Sequence, residues 1–353
     1  MKDTIISSSS VRLQRTARQW SQVELAERAG ISRAAVSAIE GERLSPSVAT
    51  ALALAKIFEC SVEELFGHSE ALRPRHSEWA WLPRGASSRY WEAEVGHRRL
   101  LYPVEAISLN PIPHDGVWAN GVCRERESVT ADTTLVVASC DPAAGLLATE
   151  YARATGFRLL VFPRGGRAAV ELLKQRLVHV AALHRSTSKS PERNATTVRE
   201  QLGEHFQLLR VADWEEGVAL PPDNSSRVVT TVAQRTKCWA ARETGAGARE
   251  CLDELLEGRR FGGREVGGHN SVAEAVRSGW AGAGVCVRFS AEEAGLNFLP
   301  FRTESLDFCF PSPSQHDARI QGLVRLLRSR SYRRLVSELP GYDAREIGGM
   351  LSL

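Results

Sequence analysis

No stretch of about 18 uncharged apolar residues occurs in the sequence, which excludes a conventional membrane-spanning helix. The N-terminus lacks the apolar core of a signal peptide. There are seven cysteines, an odd number. None belongs to a Cys-x-x-Cys pair or to a Cys/His cluster with metal-ligand spacing. We therefore expect a reduced, cytoplasmic protein with no membrane partner and no metal site.

The signatures of common enzyme classes are missing as well. We find no Gly-x-Ser-x-Gly nucleophile elbow, no Walker phosphate loop and no Rossmann fingerprint after a strand. A catalytic role would rest on Cys140 or His184, yet the sequence shows no base partner for Cys140. We predict a protein that is not an enzyme and has no catalytic residues. The alternatives are an enzyme on the C-terminal half and a DNA-binding scaffold without a ligand.

The chain is long enough for more than one domain. Its 353 residues, 43% of them hydrophobic, suffice for two or three cores. The net charge is only +3, so any contact with nucleic acid must come from a local surface. The residue pattern changes twice, which predicts domains over residues 1–67, 68–130 and 131–345.

The pattern of residues 1–67 predicts short helices, each with its own start and stop signals. Ser21 and Glu24 form a capping-box pattern, and Gly30 ends that helix with a sharp turn. The next helix begins at Ser32 and runs to Gly41. A fourth helix runs from Pro46 to Phe58, and a fifth starts at Ser61 and closes at Gly67. The residues of the fourth helix that we expect to face inward are Leu52, Ala55 and Phe58.

This segment resembles the Xre or phage-repressor helix-turn-helix family, whose pattern Gln-x-x-Leu-Ala-x-x-x-Gly-x-Ser is met from Gln22 to Ser32. The resemblance implies a recognition helix that enters the major groove of double-stranded operator DNA, and a homodimer that binds two half-sites. It also implies that Gln22 lies near a phosphate and that Arg15 pairs with Glu40. The predicted DNA-binding residues are Gln22, Ser32, Arg33, Ala34, Ser37 and Arg43.

Aromatic residues crowd the second part, and Pro and Gly interrupt it often. Residues 89–95 and 99–104 alternate around Gly96-His97 as the strands of a hairpin do. We predict a small β-rich region that couples the outer domains. Its aromatic side chains either pack against a neighbouring domain or line a ligand pocket.

The third part alternates strands and helices, which predicts a parallel sheet. Predicted strands over residues 134–139, 158–162 and 179–184 place polar residues at their carboxyl ends, where ligands bind in open α/β sheets. The helix starts at residues 242–249 and 268–271 are rich in small residues with free N–H groups. Such starts suit a small anion.

This part resembles the type 2 periplasmic-binding-protein fold, in the cytoplasmic version that is fused to helix-turn-helix domains and related to molybdate-binding proteins. The matching segments are residues 139–143, 178–184, 242–249 and 272–279. The resemblance implies two lobes whose cleft closes on a small-molecule effector. The predicted ligand-binding residues are Ser139, Cys140, Asp141, Gly165, Gly166, His184, Arg242, Glu243, Thr244 and Gly245.

Two carboxylates in this set bear on the ligand. Asp141 or Glu243 would repel an anion unless it caps a helix or pairs with Arg242, so an organic ligand stays an alternative to an oxoanion. We predict no cofactor beyond the effector, for which molybdate or another small anion is the candidate. The sequence thus predicts a multidomain, ligand-responsive transcriptional regulator: an all-α helix-turn-helix domain, a β-rich coupling region and a two-lobed α/β domain.

Overall fold

Contacts between residues divide the chain into two units, Met1–His76 and Ser77–Leu353. The structure is a computed structural model that describes residues 10–41, 43–58, 60, 62–66, 77–85, 87–105, 113–119, 121–125 and 131–351. The predicted helix boundaries at Ser61 and Gly67 lie outside these residues. The domain limits at residues 67 and 130 remain predictions.

The first unit is helical, as its start and stop signals predict. Its apolar residues recur at helical spacing and meet in one core that includes Leu25, Val36 and Phe58. Its helices are α1 (Ser10–Ala17), α2 (Gln22–Ala29), α3 (Arg33–Glu40), α4 (Val48–Phe58) and α5 (Val62–Phe66).

The expected orientation of Leu52 in α4 is wrong. Its side chain is 57% exposed, whereas Ala51, Leu54, Ala55 and Phe58 are buried. The buried positions follow the three- and four-residue spacing of one helix face, and position 52 falls outside that face.

A small sheet begins the second unit. The predicted hairpin is confirmed, because the strand Ser87–Val95 pairs antiparallel with the strand Arg98–Pro103, with Val95 opposite Arg98 at the turn. Within the described residues the strands lie in the order β1-β3-β2-β4-β5. They are β1 (Glu78–Trp79), β2 (Ser87–Val95), β3 (Arg98–Pro103), β4 (Gly116–Ala119) and β5 (Val122–Glu125).

Aromatic side chains of this sheet pack against the rest of the second unit. The ring of Tyr102 stacks on Phe162 at 5.2 Å, and its hydroxyl donates to the Leu177 carbonyl at 2.8 Å. Arg158 pairs with Asp115 at 2.6 Å across the same boundary. The small sheet therefore shares a hydrophobic core with the α/β region that follows it.

Strands and helices alternate in the remainder of the unit. The predicted strand over residues 134–139 has the same bounds in the structure, and the strand predicted at 158–162 extends by one residue. The first elements are β6 (Thr134–Ser139), α6 (Ala144–Thr155), β7 (Arg158–Pro163), α7 (Gly166–Lys174), β8 (Val180–Thr187), α8 (Arg193–Leu202) and β9 (Phe206–Leu220). The next are α9 (Val229–Arg235), β10 (Trp239–Ala241), α10 (Gly247–Leu255), β11 (Gly263–Glu265), α11 (His269–Arg277), β12 (Ala283–Val287), α12 (Arg288–Glu293) and β13 (Asn297–Pro311). The last are α13 (Ala318–Arg328), α14 (Arg330–Ser337), β14 (Tyr342–Asp343) and β15 (Met350–Leu351).

Two parallel groups of strands lie on either side of a long antiparallel pair. The order across the sheet is β7-β6-β8-β13-β9-β12-β10-β11. β6 is parallel to β7 and β8, and β10 is parallel to β11 and β12. β9 and β13, 15 residues each, pair with one another and connect the two halves. The predicted ligand residues lie at or just after the carboxyl ends of β6, β7 and β10, with one exception. His184 was expected at a strand end but lies inside β8, which continues to Thr187. Within the described residues, no helix combines the length and the apolar character required to cross a bilayer.

Candidate functional site

The turn between α2 and α3 has the geometry that the sequence predicts. The Ser21 hydroxyl accepts from the Glu24 backbone N–H, and the Glu24 carboxylate accepts from the Ser21 backbone N–H, which completes a capping box. Gly30 has φ 65° and ψ 31°, a left-handed conformation that favours glycine. Ser32 caps α3 by accepting from the Ala35 N–H at 3.1 Å. These local signals fix the angle between the two helices.

A charged network ties α3 to α1 and α2. Arg15 donates from Nε to Glu40 Oε1 at 2.6 Å, as the family resemblance implies. The side-chain amide of Gln22 donates to Glu40 Oε2 at 2.9 Å. Glu40 is buried, so these donors replace the water that its carboxylate loses. Gln22 therefore contacts Glu40 in this structure, and a role near a phosphate stays a prediction.

The outer side of α3 presents the residues predicted to contact bases. Arg33 and Ala34 are exposed, Ser37 is half-buried, and Arg43 is exposed just beyond the helix. Val36 and Ile39 on the opposite side are buried in the core. A helix held by its apolar side with a basic, exposed N-terminal end has the form of a recognition helix.

The predicted ligand residues fall into two neighbouring cavities of the second unit. Ser139, Cys140, Asp141, Arg242 and Glu243 line a cavity of about 390 Å³. Gly165, Gly166, Thr244 and Gly245 line an adjacent cavity of about 930 Å³, and Glu243 borders both. His184 does not line either cavity and lies buried behind Cys140.

Arg242 brings an unused donor to the smaller cavity. It donates to Glu243 from Nε at 2.9 Å and from Nη2 at 2.8 Å. Burial works to lower the pKa of Arg242, but the hydrogen bond and the charge of Glu243 outweigh it and raise the pKa. Nη1 is buried and has no hydrogen-bond partner among the described residues. An ionised donor in this position suits an anionic ligand.

His269, the first residue of α11, supplies a second unused donor. Its Nδ1 accepts from the Val287 backbone N–H at 3.3 Å, so the ring hydrogen lies on Nε2. Burial, and then the charge of Arg242, hold its pKa well below the ordinary value, and the ring is neutral. Nε2 is buried without a partner within the described part of the chain. His269 was absent from the predicted ligand set, although the helix start at 268–271 was recognised in the sequence.

The start of α11 adds backbone donors to the same cavity. Gly268, His269, Asn270 and Ser271 all line it. The N-cap is Gly268, which offers no side chain to the first N–H groups of the helix. These groups and the positive end of the helix dipole favour negative charge.

Both carboxylates that could repel an anion are already engaged. Asp141 accepts from the Ala143 N–H at 2.9 Å and from the Tyr342 hydroxyl at 2.6 Å. Burial raises the pKa of Asp141 despite these hydrogen bonds. Glu243 is paired with Arg242. Of the two conditions under which the sequence allows an anion, the pairing of Glu243 with Arg242 is met. The expected helix cap is wrong, because the N-cap of α6 is Ala143 and no side chain caps that helix; Asp141 is satisfied by Ala143 and Tyr342 instead.

Behind the cavity lies a row of three polar side chains. Cys140 Sγ is 3.1 Å from His184 Nε2, and His184 Nδ1 is 2.6 Å from Glu304 Oε2. Glu304 is on β13, 120 residues from His184. The sequence shows no base partner for Cys140, and the structure corrects this by placing His184 there.

Cys140 and His184, together with His269, are also residue types that bind metal ions. Donor atoms of Cys140, His184 and His269 lie within 4.8 Å of one another. His269, however, carries its hydrogen on Nε2, because Nδ1 accepts from Val287. A ligand nitrogen needs a free lone pair, so His269 is oriented as a donor to an acceptor group and not as a metal ligand.

Comparisons with known proteins match both units. Residues 11–65 match a family described as helix-turn-helix, and residues 148–328 match a family described as PBP superfamily domain. Over 182 residues the chain is 25% identical to the uncharacterized protein YvgK of Bacillus subtilis, which corresponds to 49% of this chain and 58% of that relative.

Solved structures are similar at low sequence identity. A Clostridium perfringens protein with bound phosphate is 9% identical, with 58% of this chain and 97% of that one covered, at a TM-score of 0.48. An ABC-type phosphate transport receptor from Vibrio cholerae is 13% identical, with 59% and 98% covered, at a TM-score of 0.42.

Proposed function

Because the chain belongs to the PBP superfamily and also carries a helix-turn-helix domain, we propose that it is a transcriptional regulator whose binding to operator DNA responds to a small anion. The observation that carries the ligand half is the pair of buried, unpartnered donors, Arg242 Nη1 and His269 Nε2, in one cavity. A regulator of this kind acts in the cytoplasm, because operator DNA is found there.

The DNA half rests on α3. Its apolar side is buried, while Arg33 and Ala34 at its N-terminal end are exposed. Arg33 reads a base edge in the major groove, and the backbone N–H groups at the start of α3 approach a phosphate. Two copies of the chain bind two half-sites, since helix-turn-helix proteins commonly bind as symmetric dimers.

The ligand half rests on the charge balance of the smaller cavity. Arg242, His269 and the start of α11 all offer hydrogens, and Asp141 and Glu243 are satisfied within the protein. A buried donor that is left without an acceptor costs about 1–3 kcal/mol. An oxoanion such as molybdate, sulfate or phosphate would satisfy several of these donors at once.

The fold offers a route from the ligand to a change of shape. Ser139 ends β6 and Cys140 follows it in one half of the sheet, whereas Arg242 and His269 belong to the other half. Since β9 and β13 connect the halves, a ligand held by both sides stabilises their closed arrangement. That shift in population is the signal that alters the fit of the dimer to DNA.

Two measurements on the full chain test the proposal. Thermal unfolding with sodium molybdate, sulfate and phosphate is expected to show a higher Tm with at least one of them, because a ligand that binds only the folded state stabilises it. Selection from a randomised duplex library is expected to enrich a sequence with two half-sites. No Tm shift with any of the three anions would contradict the ligand half, and no enrichment would contradict the DNA half.

A further inference from the structure

Cys140 has the neighbours of a reactive thiol. Its Sγ is 3.1 Å from His184 Nε2, which can take the thiol proton. His184 Nδ1 is 2.6 Å from a carboxylate oxygen of Glu304, so Nδ1 carries the ring hydrogen and donates it to Glu304. Nε2 therefore faces the sulfur with a lone pair. The arrangement is a nucleophile, a base and a residue that orients the base.

Glu304 is itself fixed by its surroundings. Arg302 donates to its Oε1, and the Trp214 indole N–H lies 3.4 Å from Oε2. Burial by itself lowers the pKa of His184, but its attraction to Cys140 and the hydrogen bond between them outweigh burial and raise the pKa. The His184 ring therefore lies between the sulfur of Cys140 on one side and the carboxylate of Glu304 on the other. The titratable and charged groups around this pair are Asp141, Glu216, Arg242, His269, Arg302 and Glu304.

The sulfur is reached from the anion cavity. Cys140 lines that cavity but is only 8% exposed, so only a small reactant reaches it. Arg242 and His269 line the same cavity, and Arg242 Nη1 and His269 Nε2 are buried there without a hydrogen-bond partner among the described residues. Donors in that position stabilise an oxygen that gains negative charge while the sulfur reacts. A hydroperoxide is small and has such a leaving oxygen.

We propose that Cys140 is a modification site that a hydroperoxide oxidises to a sulfenic acid. The sulfur attacks one peroxide oxygen, the S–O bond forms and the O–O bond breaks. Two electrons pass from sulfur to the peroxide, and the leaving hydroxide takes the proton that His184 received from the thiol. With hydrogen peroxide the products are Cys140 sulfenic acid and one water molecule. This chemistry goes beyond anion sensing and needs neither DNA nor the anion.

The test uses the full chain, hydrogen peroxide and dimedone, which traps sulfenic acids, with mass spectrometry to follow each cysteine. Cys238 is exposed and serves as the internal control. If exposure alone set the rate, Cys238 would be labelled first. We expect Cys140 to be labelled at least about tenfold faster than Cys238, since a positioned base contributes a factor of about 100 or more. Because this comparison is made within the wild-type chain, it does not depend on whether any variant folds.

Variants then assign the roles. His184→Gln is expected to lower the Cys140 labelling rate at least about tenfold and to leave the Cys238 rate unchanged. Glu304 is a positioning residue, and Glu304→Gln is expected to move the pH at which Cys140 labelling is half-maximal, which a purely structural role would not do. Three outcomes would overturn the proposal. The first is labelling of Cys238 before Cys140. The second is a Cys140 that reacts in a burst with p-nitrophenyl acetate but forms no sulfenic acid with hydrogen peroxide, and the third is a retained equivalent of zinc that blocks labelling of Cys140.

Discussion

The carboxylate of Glu243 holds the guanidinium of Arg242 through two hydrogen bonds, at 2.9 Å from Nε and 2.8 Å from Nη2. Glu243 is half-exposed while Arg242 is buried, so the pair fixes a cation at the inner wall of the cavity. The fork geometry directs two of the donor atoms to Glu243 and leaves Nη1 without a partner among the described residues. The unused donor is what a ligand can bind.

Replacing Arg242 should remove anion binding. For Arg242→Met we expect the affinity for whichever of molybdate, sulfate and phosphate binds best to fall at least about tenfold, since a hydrogen bond to a charged group contributes about 1.5–3 kcal/mol. Arg242→Lys keeps the charge but loses the fork, so its loss should be smaller. Isothermal titration calorimetry measures both. Arg277→Met, on the exposed side of α11, is the control, and an equal loss there would contradict the role of Arg242.

The first residue of α10 should tolerate no side chain. A Cβ on Gly247 would lie 2.4 Å from His184 Cε1, whereas a Cβ on Gly166, the first residue of α7, would have its nearest neighbour at 3.8 Å. We expect Gly247→Ala to lower the free energy of unfolding by about 1–3 kcal/mol through overpacking. Gly166→Ala, the matched control, should change it little. Urea denaturation followed by tryptophan fluorescence measures both free energies of unfolding. Equal effects of the two substitutions would contradict the position of the His184 ring against Gly247.

Two substitutions in the helix-turn-helix should separate base contact from phosphate contact. Arg33→Ala is expected to weaken binding to a selected duplex by about tenfold or more and to relax its sequence preference, because a good contact to a base contributes about 1–3 kcal/mol of discrimination. Gln22→Ala is expected to weaken binding to all sequences alike. Fluorescence anisotropy with selected and scrambled duplexes distinguishes the two.

Lys56→Ala is the control for that experiment, since it removes one positive charge from the exposed side of α4 and leaves α3 intact. If Arg33→Ala and Lys56→Ala lose affinity equally, binding depends on net charge and α3 is not the recognition helix.

His179 should make stability depend on pH. Burial lowers its pKa to about 4 from an ordinary value of 6.5, while Nδ1 accepts from Val136 and Nε2 bonds to the Glu94 carbonyl. Between these values the unfolded chain binds a proton that the folded chain does not. The contribution of His179 to the free energy of unfolding is therefore complete above pH 6.5. It is lost as the pH falls, and the loss is about 3 kcal/mol at pH 4. The stability advantage of wild type over His179→Gln should shrink by that amount.

Exposed His97 provides the comparison for His179. Its side chain is fully exposed, so His97→Gln removes no buried imidazole and serves as the matched control. Chemical denaturation at pH 7, 5.5 and 4 measures both differences, and parallel curves for the two variants would contradict the account of His179.

Local signals in the sequence were enough for much of the fold. Ser21, Glu24 and Gly30 fix the ends of α2 through contacts a few residues apart, and the apolar runs of β6 and β7 are bounded by clear breaks. The long strands β9 and β13 were not predicted, because they are held by pairing with one another and with both halves of the sheet. That pairing joins residues far apart in sequence.

The site was predictable in part for the same reason. Asp141 comes shortly after a predicted strand, Arg242 begins a segment recognised as a helix start, and both line the smaller cavity. The base partner of Cys140 depends on contacts across 44 residues to His184 and 120 more to Glu304, which no spacing rule reveals. His269 could have been included among the predicted ligand residues, since it lies in a helix start that the sequence reveals. That its Nε2 is left without a partner is apparent only from the structure, in which the Val287 N–H donates to Nδ1.

The coupling of the two units tests the central claim most directly. The measurement is the affinity of the full chain for its selected duplex by fluorescence anisotropy, with and without a saturating concentration of the anion that stabilises it, in wild type and in Arg242→Met. We predict that the anion changes the wild-type Kd by about fivefold or more, in line with typical coupling free energies, and leaves the variant unchanged. A wild-type Kd that is the same with and without the bound anion would contradict a ligand-responsive regulator.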